Sequence, residues 1–203
     1  MDWQLDAVEV RVLGALLEKE IATPDYYPLS LNALVNACNQ KSNREPVVSY
    51  DDGTVEEALE SLRAKGLALR VTGGDSRVPK HEQRFTEKFN LGRREAAVMC
   101  VLMLRGPQTV GELRGRSERL YTFDDLEAVE STLNRLAEMM FAKRLPRQAG
   151  FKEQRWAQLL AGDVEEAAAP VEYRESEPTR IERLEADLAQ LRREFEEFRR
   201  KFE

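Results

Sequence analysis

Histidine and cysteine are almost absent from this chain of 203 residues, and their scarcity excludes several kinds of active site. There is one histidine, His81, and the two cysteines, Cys38 and Cys100, lie 62 positions apart. Zinc clusters, disulfide frameworks and cysteine–histidine nucleophile systems need more of these residues. Glycine-rich phosphate loops, nucleophile elbows and metal-ligand spacings are also missing. We therefore expect a protein that is not an enzyme and uses no cofactor or metal.

Long apolar segments are lacking as well. The longest apolar run, Ala96–Leu104, is roughly half the length that a membrane span requires. The N-terminus has no basic segment followed by an apolar core, which a secretion signal would show. Apolar residues still make up 42% of the chain, enough for a folded core. These features predict a cytoplasmic protein with no membrane partner.

The charge is unevenly distributed along the chain. The net charge is −5 in residues 1–87, +4 in 88–160 and −5 in 161–203, and −6 in total. An acidic protein is not a general nucleic-acid binder, so contact with DNA would require a local basic patch. The middle segment alone has a cationic balance, which makes it the better candidate for binding nucleic acid.

The chain resembles two copies of one unit. The apolar pattern of residues 54–71 recurs further along at a constant offset of 74. The pentapeptide HEQRF, which begins at His81, is similar to KEQRW, which begins at Lys152, at an offset of 71. That difference in offset predicts a turn three residues shorter in the second copy.

Each copy has the pattern of three amphipathic helices followed by a β-hairpin. In the first copy, a capping box of Thr54 and Glu57 is predicted to start the third helix. In the second copy, Thr109 with Glu112 should cap the second helix, and Asp124 with Glu127 the third. The pairs Asp51–Asp52 and Asp124–Asp125 also lie just before the third helices, where acids serve as caps. Three helices closed by a hairpin are typical of a winged helix.

The predicted fold class is mainly α with small β-hairpins (α+β), comprising two tandem winged-helix domains plus a C-terminal coiled-coil helix. The segment Gly162–Pro178 has two prolines and few large apolar residues, which is typical of a linker. The predicted domains are winged-helix domain 1 at 1–87, winged-helix domain 2 at 88–160, a linker at 161–179 and the coiled-coil helix at 180–203.

Two long runs of the sequence are similar to a known family. They are YYPLSLNALVNACNQKSNREPVVSYDDGTVEEALESLRAKGL (26–67) and GRREAAVMCVLMLRGPQTVGELRGRSERLYTF (92–123). Both resemble the YceH-like family of bacterial proteins, and ACNQKSNREPV is the most specific part of the resemblance. The resemblance implies a tandem winged-helix fold in a family without an assigned biochemical role.

A winged helix suggests DNA binding by a third helix placed in the major groove. Here the third helices are acidic and would be repelled by DNA phosphates; their acidic residues are Glu56, Glu57 and Glu60, and Asp124, Asp125, Glu127 and Glu130. The basic residues lie instead between the second and third helices and in the wings, where they suit phosphate contacts. The predicted nucleic-acid-binding residues are Lys41, Arg44, Arg114, Arg116, Arg119, Lys143, Arg144, Arg147, Lys152 and Arg155. The alternative is that these basic loops are ordinary solvated surface.

Two further alternatives stay open at this level. The run from Cys38 to Pro46 could present donors to a phosphate or carboxylate, or it could simply terminate the second helix. Cys38 itself lies on an apolar stripe, which favours a buried and inert thiol. We predict a non-enzymatic nucleic-acid-associated protein, such as a transcriptional regulator that binds duplex DNA. The alternative is a protein–protein interaction module in which the acidic third helices dock a protein partner.

The C-terminal segment has the clearest repeat of apolar residues. They alternate in steps of three and four over three heptads: Ile181, Leu184, Leu188, Leu191, Phe195, Phe198 and Phe202. In a parallel pair the flanking charges attract each other, as Arg180 with Glu185 and Asp187 with Arg192. This pattern predicts a homodimer. The alternative is an amphipathic helix that packs on its own chain.

Truncation after Pro178 tests the predicted homodimer. Each buried Leu or Phe of the seam contributes about 1.5–3 kcal/mol, which offsets the cost of ordering a helix that is marginal alone. We expect a dimer for the full chain and a folded monomer for the truncated one by light scattering. A full chain that is already monomeric at tens of micromolar would show that this helix packs on its own chain.

Overall fold

The computed structural model describes residues 4–73, 76–147 and 153–162. The described residues all belong to one compact unit, residues 1–164. The predicted coiled-coil seam lies outside the described residues, as do Lys152 and the predicted linker beyond Gly162. The homodimer and the bounds of the four predicted segments stay predictions.

The first repeat contains three helices and a small antiparallel sheet. Its first helix begins at a capping box in which Asp6 and Glu9 each accept the other's backbone N–H at 2.8 Å. Its elements are α1 (Ala7–Ala22), a short 3₁₀ turn (Pro24–Tyr26), β1 (Leu29–Ser30), α2 (Leu31–Cys38), α3 (Asp52–Ala64), β2 (Ala68–Gly73) and β3 (Ser76–Gln83). The strand β3 lies between β1 and β2 and pairs with both.

The second repeat has the same order of elements after a short connecting helix. Its elements are α4 (Phe85–Lys88), α5 (Arg93–Arg105), α6 (Val110–Ser117), α7 (Leu126–Glu138), β4 (Ala142–Arg144) and β5 (Trp156–Gln158). The predicted capping box of Thr109 and Glu112 is confirmed at the start of α6. The fold of the described residues is α+β with seven helices and small antiparallel sheets, as predicted at this level. None of these helices is long and apolar enough to cross a membrane.

The internal repeat is present in the backbone. The third helices α3 and α7 begin and end at positions related by the predicted offset of 74. In the first sheet Leu29 pairs with His81, and in the second repeat Gln108 forms the corresponding bridge with Trp156. The two sheets are therefore built in the same way, although the strand equivalent to β1 is a single bridge at Gln108 in the second sheet.

The predicted correspondence of the returning strands is wrong. Gln83 lies opposite Ala68, and Gln158 lies opposite Ala142. The structural equivalent of Gln83 is therefore Gln158, at an offset of 75, and not Gln154, at an offset of 71. The second hairpin is one residue longer than the first, because strand pairing and not the shared letters of HEQRF and KEQRW fixes the register.

Aspartates of the pairs Asp51–Asp52 and Asp124–Asp125 cap both third helices, as predicted, but the predicted capping boxes begin at other residues. Asp51 accepts a hydrogen bond from the N–H of Thr54, and Asp125 accepts one from the N–H of Ala128, both at 2.8 Å. The predicted cap at Thr54 is therefore wrong by three residues, and the predicted cap at Asp124 is wrong by one. The acidic residues at these helix starts have a structural role, because they satisfy unpaired N–H groups.

The helices α1 and α5 pack against each other at Gly14, so the two repeats share one core. A Cβ atom at Gly14 would lie 3.0 Å from the Leu104 side chain and 3.0 Å from the Met103 Cβ. The thiol of Cys100 also lies 3.8 Å from the Gly14 carbonyl oxygen. The absence of a side chain at Gly14 therefore sets the distance between the two helices.

Met140 occupies the position in the second repeat that Gly66 occupies in the first. Both residues follow a third helix in the left-handed region, with φ of 62° and 67° respectively. This conformation ends a helix well when the residue is glycine, but a side chain there is strained. The second repeat therefore carries backbone strain that the first avoids.

Replacement of Met140 by glycine should raise the free energy of unfolding by about 0.5–1 kcal/mol, because it removes this strain. Met140 is 65% exposed, so little packing is lost. Met140→Ala retains the Cβ atom and is the matched control, with no gain expected. Urea unfolding followed by circular dichroism measures both. A glycine variant no more stable than the alanine variant would contradict the assignment of strain.

Candidate functional site

Two buried arginines satisfy the carbonyl groups at the end of α2. Arg11 donates to the carbonyl of Cys38 at 3.1 Å, and Arg44 donates to that of Ala37 from two nitrogens at 3.0 and 2.8 Å. The C-terminus of a helix carries partial negative charge, which a guanidinium offsets. In this part of the run from Cys38 to Pro46, the contacts support the structural alternative.

The rest of this run is also held by specific hydrogen bonds. The Asn39 side chain donates to the carbonyl of Tyr50 and accepts from its N–H, both at 2.8 Å. The N–H of Glu45 donates to the carbonyl of Leu104 at the end of α5, also at 2.8 Å. The run therefore connects the first repeat to the second.

Glu18 is a fully buried carboxylate that both repeats share. It accepts hydrogen bonds from Arg44 at 3.1 Å and from Arg119, and the ammonium group of Lys19 lies 3.4 Å away. Burial opposes its ionisation, but the hydrogen bond from Arg44 and the charges of Arg44 and Arg119 lower the pKa of Glu18 to about 2. The side chain of Arg44 is fully buried too. Although predicted to bind nucleic acid, Arg44 is thus occupied inside the protein.

An open depression of about 430 Å³ lies where Arg119 reaches the surface. It is lined by Asn43, Arg105, Gly115, Arg116, Glu118 and Arg119. We call Arg105, Arg116 and Arg119 the arginine cluster. Asn43 belongs to the segment between α2 and α3, and Arg119 to the segment between α6 and α7. The fold therefore brings together the two inter-helix segments that the sequence singles out.

Acidic groups neutralise the arginine cluster only in part. Arg105 donates to the neutral amide oxygen of Asn43 and forms no ion pair within the described residues. Burial lowers the pKa of Arg105, and the charges of Arg116 and Arg119 lower it further. The lining of the depression therefore holds three cations and one carboxylate, that of Glu118.

Glu112, at the start of α6, forms ion pairs with two arginines. Its carboxylate lies 3.5 Å from Arg116 and 2.9 Å from Arg155. Burial opposes ionisation, but the hydrogen bond from the N–H of Thr109 and the charges of both arginines lower the pKa of Glu112. Arg155, another predicted binding residue, also donates to the carbonyl of Pro107 at 2.8 Å. Its side chain is therefore engaged within the protein.

The other predicted residues of the second wing are more accessible. Arg144 is 45% exposed, and its guanidinium carbon lies 5.0 Å from the ring centroid of Trp156. Its nearest acidic partner, Glu130, is 4.0 Å away. Arg147 is exposed and Lys143 is half-buried. Arg144 and Arg147 are thus the wing cations best placed to meet an external phosphate.

Two predicted residues, Lys41 and Arg114, lie outside the depression's lining. Arg114 and Arg116 belong to α6 and not, as predicted, to the segment between α6 and α7. Arg114 donates to the carbonyls of Phe123 and Asp124 at 3.4 and 2.8 Å but stays exposed. Lys41 is exposed as well. Arg114 therefore orders the segment that follows α6 while its charge remains open to solvent.

The third helices present acidic surfaces to solvent. Glu56, Glu57 and Glu60 of α3 are all exposed. On α7 a second open depression, of about 460 Å³, is lined by Glu127, Glu130, Ser131, Asn134, Arg135 and Glu138. These faces are poorly suited to a DNA phosphate backbone, as the sequence predicts.

Both cysteine thiols, those of Cys38 and Cys100, are buried in the described part of the chain. Burial raises the pKa of the Cys38 thiol to about 12 and raises that of Cys100 as well. Among the described residues, no three side chains of His, Cys, Asp or Glu come close enough to hold a metal ion. The prediction of a buried Cys38 is confirmed.

Sequence reasoning missed Arg105 and Glu18. Arg105 is the last residue of α5, where a cation is explained by the helix dipole alone. Glu18 lies in an ordinary helical position, and its partners Arg44 and Arg119 are 26 and 101 residues away. The strongest local signal was the run ACNQKSNREPV, which contains both Asn43 and Arg44.

Comparison with known proteins places the chain among bacterial relatives. The profile of a family described as "Protein of unknown function, DUF480" matches residues 5–151. A UPF0502 protein of Solibacter usitatus is 74% identical over 207 residues, which is 100% of both chains. UPF0502 proteins of Opitutus terrae and Geotalea uraniireducens are 52% and 50% identical. These cover 93% and 100% of this chain, and 83% and 100% of their own lengths. The narrower resemblance to YceH-like proteins stays a prediction.

Replacement of Glu18 by glutamine should destabilise the protein by about 3 kcal/mol at neutral pH, since it leaves buried Arg44 without its counter-charge. The pKa of Glu18 in the folded protein lies below the ordinary value of 4.5. The stabilisation that ionised Glu18 provides is therefore complete above pH 4.5. It is lost as the pH falls toward about 2. Urea unfolding between neutral and acid pH should show a shallower pH dependence for Glu18→Gln.

The control for this variant is Glu87→Gln, which removes a carboxylate that is 65% exposed and pairs with Arg84. Its effect should stay within about 0.5 kcal/mol, as for other exposed pairs. Equal effects of the two substitutions would contradict the role of Glu18.

Proposed function

Since the chain belongs to the DUF480 family of proteins of unknown function, we propose from its own geometry that it is a non-enzymatic, nucleic-acid-associated protein. It acts as a transcriptional regulator does, by holding the phosphate backbone of duplex DNA. The contacts are made by the second wing and the inter-helix segments and not by the third helices.

The order of elements supports the assignment of each repeat as a winged helix. In both repeats three helices precede a pair of antiparallel strands, and a residue before the second helix joins the sheet. Winged helices belong to the helix-turn-helix proteins, which commonly bind DNA. Fold alone does not assign a function, so the proposal depends on the charges that the fold presents.

The observation that carries the proposal is the convergence of the two inter-helix segments at the arginine cluster. Asn43, Arg116 and Arg119 line the same depression, although they come from different repeats. Guanidinium groups suit phosphate because their planar fork donates two parallel hydrogen bonds. Such contacts fix the position of a duplex without reading its sequence.

The second wing extends the cationic surface. Arg144 and Arg147 are exposed, and both belong to the segment with the net positive charge. The acidic third helices limit how the duplex can lie. Glu130 of α7, 4.0 Å from Arg144, would repel a phosphate that approached along that helix. The proposal is therefore backbone contact without insertion of α7 into the major groove.

The open depression on α7 favours a second candidate function. Its acidic lining fits a basic segment of a protein partner better than a nucleic acid. In that case the two repeats would form a protein-interaction module. The salt dependence of DNA binding separates the two candidates, because only the first requires release of counterions from a duplex.

A charge reversal of the second wing tests the proposal. The double substitution Arg144→Glu and Arg147→Glu should weaken binding to a random DNA duplex by about tenfold or more and leave the helical circular-dichroism signal intact. Fluorescence anisotropy at low and raised salt measures the affinity. The matched control is Arg63→Glu with Arg93→Glu, which changes the same net charge at exposed helical positions outside the wing.

Three results would contradict the proposal or relocate its site. A wild-type affinity no better than millimolar at low salt, or one that does not fall as salt rises, would exclude the DNA function. Equal losses of DNA affinity in the wing variant and the control would show that the second wing does not contact the duplex.

A further inference from the structure

We propose that the depression lined by Asn43 and the arginine cluster is a discrete binding site for a phosphate or diphosphate group. It takes tetrahedral oxyanions that offer several oxygens at once. This inference deepens the proposed function, and it rests on that function where the phosphate belongs to a DNA backbone. A small phosphorylated molecule carries the same chemistry and is the other source.

The site is built by residues from three segments of the chain. Arg105 ends α5, and Gly106 turns the chain away immediately afterwards with a φ of 67°. Arg116 belongs to the last turn of α6. Asn43 reaches the depression from the other repeat, in a left-handed conformation with φ of 59°. The donors are thus in place before a ligand arrives, which lowers the entropic cost of binding.

The helix dipole does not explain why these arginines meet. A cation at a helix end gains about 0.3–1 kcal/mol when it stays in solvent near its own carbonyl groups. Arg105 instead donates to Asn43 of the other repeat. Side chains of like charge that converge repel each other unless an anion lies between them. The arrangement therefore has the electrostatic properties of an anion site.

The internal carboxylates leave this cationic charge in excess. Glu18 is shared among Arg44, Arg119 and Lys19. Glu112 is likewise shared by Arg116 and Arg155. Arg105 has no ion pair within the described residues, although the negative charge of Glu45 acts on it. Glu118 also lines the depression, so four carboxylates face six cations. A ligand with two or more negative charges would complete the neutralisation.

Arg105 and Arg116 are the donors best suited to a direct test. Arg119 is also bonded to Glu18, so its removal would disturb the buried network as well as the site. Arg105 and Arg116 make no contact with Glu18; Arg116 donates instead to the side chain of Gln108 and pairs with Glu112. Their substitution therefore changes the depression while the contact between Glu18 and Arg44 remains.

The experiment titrates the full chain with pyrophosphate in a calorimeter at low salt, with inorganic phosphate, sulfate and chloride in parallel. We expect saturable binding of one pyrophosphate per chain and weaker binding of phosphate and sulfate. The double variant Arg105→Gln and Arg116→Gln should bind pyrophosphate at least about tenfold more weakly, equivalent to about 1.4 kcal/mol.

Two further variants serve as controls. Arg63→Gln with Arg93→Gln removes the same charge at exposed positions, and Arg93 lies at the opposite end of α5 from Arg105. This pair should bind pyrophosphate within about twofold of wild type. Arg105→Lys with Arg116→Lys retains the charge and gives a second test should the glutamine variant fail to fold. It should also weaken binding, because an ammonium group cannot form the planar fork.

The outcomes separate this inference from the proposed function. No saturable pyrophosphate binding, or equal losses in the cluster and control variants, would overturn the inference. If duplex DNA displaces pyrophosphate, the backbone phosphate occupies the site. If pyrophosphate binds and DNA neither binds nor displaces it, the site takes a small phosphorylated ligand and the proposed function fails. If DNA binds with salt dependence, the cluster variants bind it like wild type and pyrophosphate does not bind saturably, the inference fails and the function stands.

Discussion

The close contact between α1 and α5 at Gly14 is the constraint on which the rest of the described structure depends. Because glycine has no side chain, the first helices of the two repeats lie close enough to share one core. Glu18 follows one turn later on α1, where this packing buries it against Arg44 and Arg119. The same contact brings the end of α5 against the chain that follows α2. The depression with its arginines is thus a product of helix packing.

The repeats have kept their backbone while their side chains have diverged. His81 and Trp156 occupy the same place in the two sheets, yet one is a potential cation and the other a large aromatic ring that lies under Arg144. The third helices match along their whole length, but only the second repeat has a net positive charge. The molecule therefore does not present two equivalent binding surfaces.

Local sequence patterns predict the helices and strands better than the contacts between them. The apolar positions of α3, such as Val55 and Leu62, are buried as their helical spacing indicates. The register of the second wing was misjudged because letter similarity does not specify which carbonyl a strand meets. The sequence predicts a surface cation at Arg44 because its partner, Glu18, lies 26 residues away along the chain. Burial of a charge depends on contacts between distant segments, and a single sequence shows these poorly.

The shared carboxylate Glu18 has a consequence for how this architecture can evolve. Its partners come from both repeats, and each repeat covers the apolar face of the other's first helix. A repeat made alone would expose that face to water and lose part of its internal neutralisation. We therefore expect the loss of either copy to destabilise the other. The DUF480 profile matches residues 5–151, which include the helices of both repeats, and this fits their mutual dependence.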